Sequence, residues 1–157
     1  MIEKTLNISI PQPRFGISQG RLTQSNELQR FPSEAWQVEF REAQKLGFNF
    51  IELLTERKFN VENPVWNPAG RKEIKRLCKS KSFGIYSICL DYIIDHSLLD
   101  DPSKTTFRHV EDVFAVAGDL GCKVVLFPLL EKSNLQKENL DQFIPIFRDL
   151  SVKASLY

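Results

Sequence analysis

The side chains best suited to acid–base chemistry in this sequence stand in or just after short apolar runs. Glu52 lies inside the run at 48–54, Asp91 directly follows the run at 85–90, and Asp95-His96 stands in the segment after that. Carboxylates and an imidazole brought to one place can share acid–base work or bind a metal. Gln19 and Arg21 follow the run at 14–18, and Glu131 stands just past the run at 124–127. A guanidinium such as that of Arg21 is suited to hold a phosphate or carboxylate in its planar fork. Each residue also has a plainer reading. Glu52 would be a strand-end carboxylate paired with a Lys or Arg, Asp91 an Asx turn, His96 a solvated ring, and Glu131 an ordinary loop carboxylate. Arg21 would form an ion pair with Glu52 or Glu56 that fixes its loop. His109 reads as structural or exposed, and Cys78, Cys89 and Cys122 as small apolar core residues.

The elements that would position these groups recur. The four apolar runs are short, as buried strands tend to be. Taking Phe15, Phe50, Ile85 and Val124 as markers, they step by 35, 35 and 39 residues. Helical patterns lie between them. Trp36, Phe40 and Ala43 share one face of a helix opened by Pro32-Ser33-Glu34 and closed by Gly47. Ile74, Leu77 and Cys78 form a second stripe. Phe107, Val110, Phe114 and Ala117 form a third, with Ser103 as N-cap and Gly121 as stop. A fourth runs from about Leu140 through Phe143, Phe147 and Leu150, where Pro145 is tolerable only near the first turn. Residues 151–157 fall about where a fifth strand should begin.

Alternating strands and helices at this spacing predict a parallel sheet with right-handed crossovers and a site at the C-terminal ends of the strands. The chain has neither a G-x-G-x-x-G turn nor a Walker A loop, and long loops follow its strands. A barrel therefore fits better than an open nucleotide-binding sheet. Eight such units need about 250 residues, and this sequence carries four. The expected fold is α/β: the first four βα units of a (β/α)8 barrel, as one domain over 1–157, with helices outside. Ile17, Ile51 and Ile88 are expected to face the barrel interior.

The sequence has 157 residues and a formal net charge of +1, so nothing in its charge favours nucleic acid or an anionic membrane. The basic run at 71–81 has Ile74-Leu77-Cys78 as its buried side, so it reads as a solvated helix face. No run of 18 or more apolar residues occurs, and Met1-Ile2-Glu3-Lys4 does not open a secretory signal. The three cysteines fit neither a disulfide framework nor zinc spacing, as expected of a cytoplasmic protein.

Gly16-Ile17-Ser18-Gln19-Gly20-Arg21-Leu22 resembles the opening of a group of sugar phosphate isomerase/epimerase proteins in the xylose-isomerase-like TIM-barrel superfamily. The resemblance continues through Phe31-Pro32 and Trp36, and through Leu46-Gly47-Phe48 into Ile51-Glu52. It goes on through Cys89-Leu90-Asp91-Tyr92, Asp95-His96-Ser97-Leu98 and Val125-Leu126-Phe127-Pro128-Leu129. It covers the first half of the family's barrel. It implies aldose–ketose interconversion or epimerisation of a small sugar or sugar phosphate, with Glu52, Asp91 and His96 as catalytic candidates. Gln19, Arg21, Trp66 and Glu131 would contact substrate, Trp66 by stacking on a sugar face or else packing as a lid on its own loop. Relatives polarise the substrate oxygens with a divalent metal (Mn, Mg or Zn), held largely by later strands, and no metal ligand is assigned here. Two further readings are a half-barrel binding or assembly module that self-associates or pairs with a C-terminal half, and DNA-repair nuclease action. Only two histidines and a net charge of only +1 argue against the last.

Overall fold

The computed structural model describes residues 13–24, 30–79 and 82–157. Met1-Ile2-Glu3-Lys4, Lys81 of the basic run, and residues 25–29 of the loop after the first strand lie outside them. Four strands form one parallel sheet in the order β1-β2-β3-β4: β1 (Gly16–Ser18), β2 (Phe50–Thr55), β3 (Gly84–Leu90) and β4 (Val124–Leu126). Between them run α1 (Trp36–Lys45), α2 (Pro68–Leu77), the one-turn α3 (Tyr92–Asp95) and α4 (Thr105–Leu120), with α5 (Leu140–Ala154) after β4. The sheet is not closed, consistent with half of a (β/α)8 barrel.

One face of the sheet carries the core. Ile51, Leu53, Ile88 and Leu90 are fully buried and cluster with Phe40 and Ala43 of α1, Ile74 of α2 and Val110 and Val113 of α4. Removing one such side chain costs about 2–5 kcal/mol. The other face carries Ser18, Phe50, Glu52, Tyr86 and Ser87 around an open cavity of about 580 Å³. The expected inward positions Ile51 and Ile88 therefore face the helices instead, and Ile17 packs half-buried against the same core. Side chains alternate along a strand. The strands β2, β3 and β4 have apolar residues on both faces, so the pattern left the phase open. A register shift between Ile51 and Leu53 also breaks the alternation where β2 meets β3.

Local chemistry explains the other departures. The N-cap position of α4 is Lys104, not Ser103, and the free amides of its first turn are met by Asp101, whose carboxylate accepts from the amides of Thr105 at 3.0 Å and Phe107 at 3.2 Å. A carboxylate two residues upstream reaches more free helix amides than the Ser hydroxyl does. Pro145 lies inside α5 rather than in its first turn. Residues 151–154 still belong to that helix, so no fifth strand begins there. Gly121 ends α4 in the left-handed region at φ 70°, as its position predicted. On α2, Arg71 and Lys75 bond Asp119 and Arg76 bonds Glu73, so three of the basic side chains are engaged in ion pairs.

Candidate active site

Glu52 occupies the open face at the level where β1 ends. Its carboxylate accepts from the hydroxyl of Ser18 on β1 at 2.8 Å and from that of Ser87 on β3 at 2.7 Å. The register sets this up: Ser18 is the direct partner of Glu52 across the parallel ladder. The anticipated Lys or Arg partner is replaced by two hydroxyls, which hold the carboxylate in place without cancelling its charge.

Asp91 stands beyond Leu90, and its amide donates to the carbonyl of Thr55 at 3.0 Å. It is fully buried. The thiol of Cys89 donates to its Oδ1 at 3.1 Å, while its Oδ2 has no hydrogen-bond partner among the described residues. Burial raises the Asp91 pKa above the usual carboxylate value, as does the nearby charge of Glu52, while the Cys89 hydrogen bond, Arg57 and Arg21 oppose the rise. Cys89 is thus more than a small apolar filler. Its own thiol is pushed up by burial and by the Asp91 carboxylate. Asp91 makes no Asx-turn hydrogen bond among the described residues.

Gln19 is buried and ties β1 to β2: its amide donates to the Glu52 carbonyl at 2.9 Å, and its side-chain oxygen accepts from the Leu54 amide at 3.3 Å. The loop that follows is fixed by a residue not singled out from the sequence. Glu39 of α1 is buried and accepts from the amides of Gly20 at 2.7 Å, Leu22 at 3.0 Å and Thr23 at 3.1 Å, and from the Thr23 hydroxyl at 2.9 Å. Arg21 is exposed and forms no ion pair among the described residues, so the expected pairing with Glu52 or Glu56 is absent. Glu56 instead accepts from Asn60 at 3.0 Å and Asn63 at 3.2 Å. Glu39 does the fixing because its four donors belong to the loop itself.

The loops after β2, β3 and β4 meet at Arg57, also unflagged by the sequence. Its guanidinium grips both oxygens of Asp95 at 2.9 and 2.6 Å and reaches Glu131 at 2.6 Å. Glu131 is therefore an ion-pair partner in this state. His96 is half-buried rather than solvated. Its Nδ1 lies 2.9 Å from the Tyr92 carbonyl, which can only accept, so Nδ1 carries a proton. The ring lies flat on Tyr92 at 3.7 Å between centroids, and His109 stacks on Tyr92 at 3.9 Å. Trp66 packs on His109 of α4 and on Phe59 of its own loop, with centroids 5.1 and 5.3 Å away. His109 is structural, as expected.

The structure thus gathers Glu52 and Asp91 at the sheet and holds His96, Asp95 and Glu131 in the loops above. Trp66 stands at the far end of the aromatic row that runs from His96 through Tyr92 and His109. Among the described residues no three of His, Cys, Asp and Glu converge to hold a metal ion. Asp91 has a free oxygen, but Glu52 is engaged by two serines and Asp95 by Arg57, so the donor set does not fit a resident metal.

A family model described as xylose isomerase-like TIM barrel matches residues 40–154. The chain belongs to this family. No curated protein matches it. Membership in the xylose isomerase-like barrels agrees with the parallel strand order and with polar groups gathered at the C-terminal strand ends, the end at which such barrels carry their sites. No helix among the described residues is long and apolar enough to cross a membrane.

Proposed function

We propose that the chain supplies the first half of a sugar isomerase/epimerase-like site, acting on a small ketose or aldose, free or phosphorylated, by proton transfer beside the carbonyl. The observation that carries this reading is the stacking of two carboxylates at one end of the sheet. Glu52 is held by Ser18 and Ser87, and the buried Asp91 beyond it has a free oxygen. A carboxyl group whose pKa is raised by burial is suited to give and take a proton, because its affinity moves toward the working pH. Glu52, fixed and charged, suits a substrate hydroxyl as acceptor. His96, whose Nδ1 is tied to the Tyr92 carbonyl, presents Nε2 to a second hydroxyl. The divalent metal common in this family would have to be held by residues of the other barrel half, and the cytoplasm suits the chain's unpaired thiols.

Solvent deuterium uptake tests the proposal. Keto sugars and their phosphates are incubated in heavy water with manganese, using the chain with the complementary barrel half supplied. Uptake lost in Glu52→Gln and Asp91→Asn supports the reading, and uptake unchanged in both variants removes it.

A second reading, a non-catalytic assembly module, is favoured by the exposure of Tyr86, Val124 and Leu126 on the strands. Under that reading the chain pairs with another copy or half and shows no uptake in any combination.

A further inference from the structure

We propose that Arg57 is the positioning residue at this end of the sheet: one guanidinium braces the loops after β2, β3 and β4. Arg57 lies just past the end of β2. Nε and one terminal nitrogen hold Asp95, the last residue of α3, and that same terminal nitrogen holds Glu131 in the loop after β4. A forked guanidinium makes such bonds with fixed geometry, which an ammonium cannot do. A second tie runs alongside. The hydroxyl of the fully buried Ser133 accepts from the Leu98 amide at 3.2 Å and donates to the His96 carbonyl at 3.3 Å. The segment carrying Asp91, Tyr92 and His96 is therefore fastened to the loop after β4 at two points.

The backbone of Glu131 indicates that this fastening matters. Its φ is 45°, in the left-handed region that a non-glycine residue adopts at a cost. The ion pair to Arg57 and the Ser133 and Asn134 amides donating to the Leu130 and Glu131 carbonyls hold it there. The charge argument is separate. Cys89 bonds Asp91 directly, the charges of Arg57 and Arg21 hold its pKa down, and that of Glu52 raises it. Arg57 already has its fork occupied by carboxylates, so it is not a receptor for a substrate phosphate. The importance of this brace for catalysis rests on the proposed role of Asp91, while the geometry stands without it.

The test uses Arg57→Gln and Arg57→Lys in the whole chain, read by amide hydrogen exchange and by carbon NMR of the Asp91 carboxyl. In Arg57→Gln, the amides of Ile94, Leu98, Ser133 and Asn134 exchange several-fold faster, that of Val113 in α4 is unchanged, and the Asp91 titration midpoint moves up. Arg57→Lys keeps the charge but not the fork, so the same amides loosen while the Asp91 midpoint stays near that of the parent. Should Arg57→Gln not fold, the lysine variant and the parent still decide the question. Unchanged exchange at the four amides in Arg57→Lys would overturn the brace. So would inorganic phosphate shifting the Arg57 Nε–H resonance of the parent, which would make it an anion receptor. None of these readouts involves isomerase activity, so the proposed reaction stands or falls apart from them.

Discussion

The thiol of Cys89 donates to Oδ1 of Asp91 at 3.1 Å, and both residues are buried. A thiol is a weak donor, and Oδ2 is left with no partner. Ionised Asp91 is thus poorly stabilised and its pKa lies above the ordinary 3.8. The folded state binds more protons than the unfolded state at pH values from that ordinary value up to the raised one. Stability attributable to this group therefore falls as pH rises through the window and stays lower above it. Asp91→Asn is expected to raise the melting temperature at neutral pH, and the gain should disappear below the ordinary carboxylate value. Melting curves for both proteins across pH check this, and a variant less stable at neutral pH would contradict it.

His109 carries the opposite sign. Burial lowers its pKa from 6.5 to about 4, so the fold holds it neutral. Between those values the unfolded chain binds the extra proton, and stability is lost as pH falls from 6.5 toward 4. At about 1.4 kcal/mol per pH unit, this single group can cost roughly 3 kcal/mol by the bottom of the window. His109→Phe keeps an aromatic ring against Tyr92 and Trp66 and removes the titration. Chemical denaturation of the variant should show a flatter decline between pH 6.5 and 4, and an unchanged slope would rule His109 out as the cause.

Gly20 sits at φ +85°, and a Cβ there would come within 2.4 Å of the Arg30 carbonyl oxygen. The backbone at Arg30 cannot yield as a flexible side chain would. Gly20→Ala is expected to cost about 1–3 kcal/mol, the range for a residue forced into a disfavoured backbone conformation. It should also disturb the amides that Glu39 collects. Glu39→Gln provides the companion measurement. If both variants change the same amide resonances at Leu22 and Thr23, the loop depends on this one carboxylate.

Much of the fold was legible because apolar runs, Gly stops and helix stripes repeat with a nearly constant step. The site was legible only where a polar residue interrupted or followed a strand, as at Gln19, Glu52 and Asp91. Arg57, Glu39 and Cys89 were not, for physical reasons. Arg57 acts through partners 38 and 74 residues away, a pairing that exists only once three loops converge. Glu39 shares the buried face of α1 with Trp36, Phe40 and Ala43, and the loop amides that satisfy it there come from a segment whose return the sequence pattern does not reveal. Cys89 is apolar by composition, and its donor role depends on the bend that turns Asp91 back toward it. The inward face was misassigned because alternation gives two faces without saying which of them the helices cover. Ser18, Glu52 and Ser87, three polar residues at matching strand positions, were the clue that this face is not the one packed by helices.

The open face leads to the last expectation. Tyr86 is 46% exposed and Leu126 45% exposed, although both lie within strands of a parallel sheet, an arrangement that is ordinarily covered on both sides. Phe50 shares this face with Tyr86, its ring 5.1 Å away, and the Arg14 guanidinium lies 4.1 Å from the Phe50 ring centroid. Among the described residues the sheet also leaves β1 and β4 paired on one side only, and unpaired edges recruit further strands. Four more parallel strands would satisfy both edges and cover the face, and a second copy or a complementary barrel half offers strands of the right polarity. The chain alone is therefore expected to self-associate with rising concentration and to bind an apolar dye that the complementary half displaces. Tyr86→Asp, which places a charge on the face without touching the helix-packed core, should weaken the association. Light scattering with size-exclusion chromatography over a hundredfold concentration range provides the measurement. A monomer throughout, with no dye binding, would mean that this face is stable in water as it stands.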